Sequence, residues 1–221
     1  YRSIAGVPML RRSIEALAAV PAIDAVQVVI GEGHAALYDA ATAGLDLLPP
    51  VVGGATRQDS VRLGLEALAD AAPTLVLVHD AARPFVTQAL VERLITALET
   101  AAAVLPVLPV VDTLKRLDAA GRVTDEVPRE ALARAQTPQG FGFDVLLEAH
   151  RRHAGTACTD DTGVVALDGV AVATVPGEEE NFKVTTEADL ARAEALLANR
   201  PRRFVTGTGF DVHAFAAGRR L

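Results

Sequence analysis

The chain has 221 residues, half of them hydrophobic but only 4% aromatic, so it holds one large domain, or one domain and part of another, around a core of Ala, Val and Leu. Its net charge of −7 argues against a general nucleic-acid or anionic-membrane binder, while an anionic small substrate remains compatible with a cleft lined by a few arginines. A single cysteine, Cys158, excludes an internal disulfide and a Cys-rich metal site and fits a cytoplasmic protein; the longest apolar run, residues 101–111, is too short to span a bilayer, and no signal peptide is visible.

Residues 8–20 place Leu10, Ile14 and Leu17 on one helical face. An apolar strand is predicted over residues 25–30. Gly31, Gly33 and Ala36 then match the G-x-G-x-x-A spacing of dinucleotide-binding turns. That fingerprint needs an acid about 20 residues further on to hold a ribose. Residues 49–54 (Pro-Pro-Val-Val-Gly-Gly) hold none, so nicotinamide binding is set aside and His34 reads as a surface or capping residue. Val51-Val52 is a short strand. Gly53-Gly54-Ala55-Thr56-Arg57-Gln58-Asp59-Ser60 follows and opens a helix with Val61, Leu65 and Leu68 inward. Backbone N–H groups of such a Gly-Gly turn can approach a phosphate or base. An ordinary turn capped by Thr56 explains it equally. Arg57 and Ser60 share a side of the first turn.

Residues 74–85, TLVLVHDAARPF, form the centre of the pattern. The apolar run lacks polar alternation, as expected of a strand covered on both faces. Arg83-Pro84 ends it, and Leu90, Leu94 and Leu98 mark the helix that follows. Asp80 therefore falls at the carboxyl end of a central strand, the edge where open α/β sheets bind ligands. A cap or Asx-turn role accounts for such an Asp as well. Residues 102–111 form a strand in which Pro106 and Pro109 imply an edge or a broken ladder. Residues 117–123 read as a polar hairpin turning at Asp118 and Gly121. A helix spans 142–153 with Val145, Leu146 and Ala149 inward. Asp160 and Asp161 begin another, and residues 170–175 form a strand. Thr186 caps the last helix, with Asp189 in the capping-box position and Leu190, Ala193 and Leu197 facing the core. The alternation predicts one doubly wound, mostly parallel α/β domain over residues 1–199. Residues 200–203 read as a linker, and 204–221 start something new.

The elements GGATRQDSV, VHDAARPF, DTLK, AQTPQGF, TDD and NFKVT, in this order, resemble the 2-C-methyl-D-erythritol 4-phosphate cytidylyltransferases of non-mevalonate isoprenoid synthesis. The resemblance covers about residues 1–198 and implies a Rossmann-like nucleotidyltransferase with a projecting β-hairpin arm. It implies transfer of CMP from CTP to methylerythritol phosphate, with release of pyrophosphate and Mg²⁺ as cofactor. Asp80 is then the Mg²⁺ ligand. Gly53, Gly54, Arg57 and Ser60 lie against the cytidine. Ala81 and Arg83 lie near the sugar phosphate, and Thr137 and Lys183 near the reacting phosphates. Thr113 and Arg129 belong to the arm and reach a neighbouring subunit's sugar phosphate, which implies a homodimer. The family's Gly-rich triphosphate loop would lie before Tyr1.

Gly209-Phe210-Asp211-Val212-His213-Ala214-Phe215 resembles the opening of 2-C-methyl-D-erythritol 2,4-cyclodiphosphate synthases. The implication is a bifunctional fusion whose second, trimeric domain begins here. Asp211 and His213, two apart on one side of a strand, are candidate ligands for Zn²⁺ or another divalent metal, with a further histidine needed beyond Leu221. Another nucleotidyltransferase acting on a sugar or polyol phosphate, and a non-catalytic nucleotide-binding domain, are the remaining readings.

Overall fold

The computed structural model describes residues 1–199; Asp211, His213 and the rest of 200–221 lie outside the described residues. The elements in order are β1 (Ser3–Ile4), β2 (Val7–Pro8), α1 (Met9–Ala18), β3 (Val29–Ile30), α2 (Ala35–Thr42), β4 (Val51–Val52), α3 (Arg57–Leu68), β5 (Leu75–Val78) and α4 (Gln88–Leu98). They continue with β6 (Ala103–Pro109), β7 (Leu114–Leu117), β8 (Val123–Val127), β9 (Ala133–Ala135), β10 (Gln139–Gly142), α5 (Phe143–Arg152), α6 (Asp161–Ala166), β11 (Val172–Pro176) and α7 (Glu187–Ala198).

The main sheet runs β11-β6-β10-β5, with β9 also paired to β6. β11 lies parallel to β6, whereas β10 is antiparallel to both β6 and β5. Hence β5, β6 and β11 point one way and β10 the other. The α/β class holds, but the sheet is mixed rather than mostly parallel. The cause is local. After β6 the chain makes a hairpin excursion instead of a helical crossover, and a direct return gives an antiparallel neighbour. β9 and β10 form one returning strand along β6, offset between Val107↔Ala135 and Val104↔Gly140. The offset contains a cis Thr137–Pro138 peptide.

β6 is interior despite its two prolines, so of the two expectations, an edge or a broken ladder, the broken ladder holds. The Pro106 carbonyl accepts from Gln136 N–H at 2.9 Å, so its nitrogen faces the offset between β9 and β10. On the other side the Val107 carbonyl accepts from Gly177 N–H at 2.8 Å, and Pro109 faces beyond the end of β11. Both missing donors fall where the ladder is already interrupted.

Alternation along the strands builds two cores. Val76, Val78, Ala103, Phe141 and Val172 face α3, α5 and α6. Leu75, Leu77, Val104, Ala173 and Val175 face α4, whose Leu90, Val91, Leu94 and Leu98 are buried. Smaller clusters join Ile14 to β3 and α2, and Phe85 and Val184 to α7. Thr186 and Asp189 form the expected capping box, and Thr87 caps α4 by accepting from Leu90 N–H at 3.1 Å.

β7 and β8 pair only with each other, as a projecting arm. At its tip Asp118 accepts from the Ala120 and Arg122 N–H groups at 2.9 and 3.0 Å, and Gly121 adopts a φ of +78°. Apolar Leu117 and Val123 are 57% and 62% exposed on it.

Leu94 has no exposed surface and fills the layer between α4 and the sheet. Leu94→Ala is expected to lower unfolding free energy by about 3 kcal/mol in urea titration. A loss below about 1 kcal/mol would show that the layer collapses around the gap.

Candidate functional site

Strand direction places the carboxyl ends of β5, β6 and β11 along one edge, and the amino end of β10 beside them. The pairing Gln139↔Val78, extended by two residues on each strand, sets Thr137 opposite Asp80. The contact is made: Asp80 N–H donates to Thr137 Oγ1 at 3.0 Å. His79 stands next to it, with Nδ1 3.1 Å from Thr137 Oγ1 and Nε2 3.0 Å from the Arg83 carbonyl. A carbonyl only accepts, so Nε2 carries the proton and Nδ1 accepts from the Thr137 hydroxyl. Burial pushes the His79 imidazole down to about 4, against weaker support for the charged form from the Arg83 carbonyl and Asp80.

The Asp80 side chain caps no helix; Thr87 performs that role for α4. Its Oδ2 lies 2.8 Å from Lys183 Nζ, and its Oδ1 3.6 Å from Arg57 Nε. Burial raises the Asp80 carboxyl, but the hydrogen bond and charge of Lys183, with Arg57 and Arg83, outweigh it and hold the group below the usual carboxylate range. Arg83 lies in the turn after Asp80, where its N–H donates to the Asp80 carbonyl at 2.9 Å. Its guanidinium donates to the Asn181 and Ala135 carbonyls at 2.8 and 3.4 Å, while Nε is buried without a partner. Ala81 is exposed, and its carbonyl accepts from Ser13 at 2.8 Å.

Lys183 is delivered by the segment after β11, which is stitched to the start of β10. Gln136 Nε2 donates to the Glu178 carbonyl at 2.8 Å, and Glu178 N–H returns to Gln136 Oε1 at 3.0 Å. Buried Asn181 donates to the Thr137 carbonyl at 2.8 Å, and Val184 N–H to the Ala82 carbonyl at 2.8 Å. Arg57 is delivered by the first turn of α3, where Thr56 caps by accepting from Asp59 N–H at 3.0 Å. Gly53 and Gly54 allow this turn to close on β4, since an added Cβ would meet Ser60 Oγ at 2.6 Å and Asp59 Cβ at 2.4 Å. Ser60 Oγ donates to the Thr56 carbonyl at 2.9 Å.

Two further residues complete the arrangement. Buried Asp161, at the start of α6, presents Oδ2 to Arg57 Nη2 at 2.8 Å and accepts from buried His150 Nε2 at 3.0 Å through Oδ1. In the sequence Asp161 carries a helix-start signal and belongs to the TDD element of the resemblance, which gives it no role, and His150 looks like one more residue of a basic helix end. Nothing in the spacing connects them to Arg57.

Asp80, Arg57, Arg83, Thr137 and Lys183 thus converge, with Gly53, Gly54 and Ala81 on the loops beside them and Ser60 in the first turn of α3. Thr113 and Arg129 do not join them in this single chain. Both are exposed at the root of the arm, where Arg129 Nη1 donates to the Val111 carbonyl. Asp80 suits a hard cation. Oδ2 is taken by Lys183, Oδ1 has only the looser 3.6 Å contact with Arg57, and the group is ionised. A lone carboxylate is enough for Mg²⁺, which retains water and phosphate ligands. No cluster of three His, Cys, Asp or Glu that could hold a metal ion exists among the described residues.

The His79 proton assignment has a measurable consequence. Its folded value lies below the ordinary 6.5, so the folded protein resists a proton that the unfolded chain accepts. Stability is complete above about pH 6.5 and is expected to fall by about 3 kcal/mol as pH drops to about 4. Chemical denaturation at stepped pH, with His79→Gln as comparison, reads this; equal slopes in the two proteins would contradict it.

The IspD model, described as 2-C-methyl-D-erythritol 4-phosphate cytidylyltransferase, matches residues 1–199. The chain is 48% identical over 221 residues to the bifunctional enzyme IspD/IspF of Rhodopseudomonas palustris, covering 99% of this chain and 56% of that protein. The corresponding Rhodospirillum rubrum enzyme is 49% identical over 219 residues, with the same coverage. The chain therefore spans little more than half the length of these relatives. The crystal structure of 2-C-methyl-D-erythritol 4-phosphate cytidylyltransferase from Thermus thermophilus superposes with a TM-score of 0.78 at 40% identity, covering 89% of this chain and 92% of that one. The bifunctional IspDF of Campylobacter jejuni gives a TM-score of 0.70 at 26% identity, over 84% of this chain and 46% of its own. This chain belongs to the IspD family, the 2-C-methyl-D-erythritol 4-phosphate cytidylyltransferases.

Proposed function

We propose that this chain transfers CMP from CTP to 2-C-methyl-D-erythritol 4-phosphate, as the nucleotidyltransferase part of a longer bifunctional protein. An oxygen of the sugar phosphate attacks the α-phosphorus; the new P–O bond forms as the bond to the β-phosphate oxygen breaks, and pyrophosphate leaves. The observation that carries this reading is Asp80 at the carboxyl end of β5, set between Lys183 at 2.8 Å and Arg57 at 3.6 Å. A carboxylate ringed by cations suits a site that must accept a polyanion and neutralise it.

Asp80 would hold Mg²⁺, which would supply positive charge against the phosphate oxygens. Lys183 moves its charge from Asp80 towards the reacting phosphates. Thr137 fixes the Asp80 backbone and offers its hydroxyl at the same edge. Gly53, Gly54, Arg57 and Ser60 hold the cytidine, and Ala81 and Arg83 orient the sugar phosphate. Thr113 and Arg129 act on the sugar phosphate of a second copy, so the working unit is a homodimer joined through the arm. Four exposed apolar residues on and around the arm support burial there: Val111, Leu117, Val123 and Leu132, at 66, 57, 62 and 40% exposure. No described helix is long and apolar enough to cross a membrane, and we place the enzyme in the cytoplasm. In the full protein, residues 204–221 open a trimeric cyclodiphosphate synthase domain that closes the phosphorylated product into a ring with loss of CMP. Asp211 and His213 would be its divalent-metal ligands there.

Asp80→Asn is expected to lower turnover at saturating substrates by about 100-fold while leaving the melting temperature within a few degrees. Unchanged turnover would remove Asp80 from the chemistry. Arg129→Ala is expected to raise KM for methylerythritol phosphate about tenfold and to leave that for CTP nearly unchanged, because one charge-assisted contact is lost. An effect confined to CTP would contradict the arm assignment. A panel of nucleoside triphosphates and polyol phosphates tests the reading itself; preference for a triphosphate other than CTP would favour a different nucleotidyltransferase.

A further inference from the structure

Arg57 is held by two carboxylates of unlike character. Asp80 is 18% exposed, stands at 3.6 Å and is already paired with Lys183. Asp161 is 1% exposed and stands at 2.8 Å, facing Nη2 off the N–H direction. The tighter partner is thus the buried one, and it lies outside the strand-end loop.

Burying Asp161 has a cost that the fold does not require. A buried ion pair is commonly no more stabilising than apolar residues of the same volume. Here several groups are committed to keeping that carboxylate in place. His150, with no exposed surface, uses Nε2 on Oδ1 at 3.0 Å and leaves Nδ1 buried without a partner. Such an orphan nitrogen costs free energy that apolar packing would avoid. Asp160, one residue earlier, accepts from Gly163 N–H at 2.9 Å and from Gln139 Nε2 at 3.0 Å, which fixes the start of α6 against the first residue of β10. The contacts form one line from the α5–α6 layer to the strand edge: His150, Asp161, Arg57, Asp80, Lys183.

We infer that Asp161, oriented by His150, is the positioning residue that sets the Arg57 guanidinium for the nucleotide. The inference rests on the cytidylyltransferase reading and deepens it. Asp161 touches no substrate; it acts through Arg57. Without its charge, Arg57 swings onto Asp80 and competes with Lys183 for the carboxylate.

The test uses the full-length protein and measures CTP binding by calorimetry without acceptor, then steady-state kinetics. Asp161→Asn keeps the shape and removes the charge. It is expected to weaken CTP binding roughly tenfold, while KM for methylerythritol phosphate changes less than about twofold. His150→Phe is expected to lose about fivefold in CTP binding, and His150→Gln, which keeps an N–H near the place of Nε2, to recover most of that loss. The double variant Arg57→Gln/Asp161→Asn is expected to bind CTP no worse than Arg57→Gln alone, because the two residues act as one unit. CTP binding by Asp161→Asn equal to wild type overturns the inference. So does an additive double variant, or an equal loss for both substrates, since each marks a merely structural role. Absence of CTP binding in the wild type overturns the cytidylyltransferase reading itself, and this inference with it.

Discussion

The carboxylate of Asp80 is the point on which the strand edge depends. It lies two residues beyond β5, whose side chains pack into both cores and so fix where the chain leaves the sheet. Arg57, Arg83 and Lys183 come from three segments of the chain, and all three act on its ionisation. Like charges so close would repel without an acid among them. In the proposed reaction the same acid keeps the cations near this edge until an anionic substrate competes for them. Structural and functional demands therefore meet in one side chain.

The reversed strand makes this convergence possible. β10 sits between two strands of opposite direction, and its first residues arrive where the others end. Thr137 meets Asp80 for that reason, and Gln136 and Asn181 use the same place to hold the segment that carries Lys183. A purely parallel sheet would bring a helix connection to this position and no such stitch. The interruption in the ladder of β6, tolerated because its two prolines need no partner there, lets the returning strand turn towards the site.

Much of this was legible in the sequence, for physical reasons. The apolar run before Asp80 has no alternation, as expected of a strand covered on both faces, and β5 does face both cores, although it ends the main sheet instead of lying at its centre. Leu90, Leu94 and Leu98 recur at helical spacing and are buried, and Thr186 with Asp189 closes its capping box. The strand reversal was not legible, because β10 is a four-residue segment whose direction depends on what it pairs with. Prolines at 106 and 109 left an edge and a broken ladder both open, because sequence shows a missing donor but not whether a partner was waiting for it. Asp161 looked like a helix-start acid, which it also is; its contact with Arg57 exists only through the approach of α6 to the start of α3. Arg129 and Thr113 carry no signal in one chain beyond charge and exposure.

The central claim is that the edge around Asp80 performs cytidylyl transfer. The most direct measurement is pyrophosphate release by the full-length protein given CTP, methylerythritol phosphate and Mg²⁺, with each omitted in turn. The account predicts one pyrophosphate per sugar phosphate consumed, and release only when all three are present. Pyrophosphate formed equally without the sugar phosphate, or none formed with all three, would contradict it.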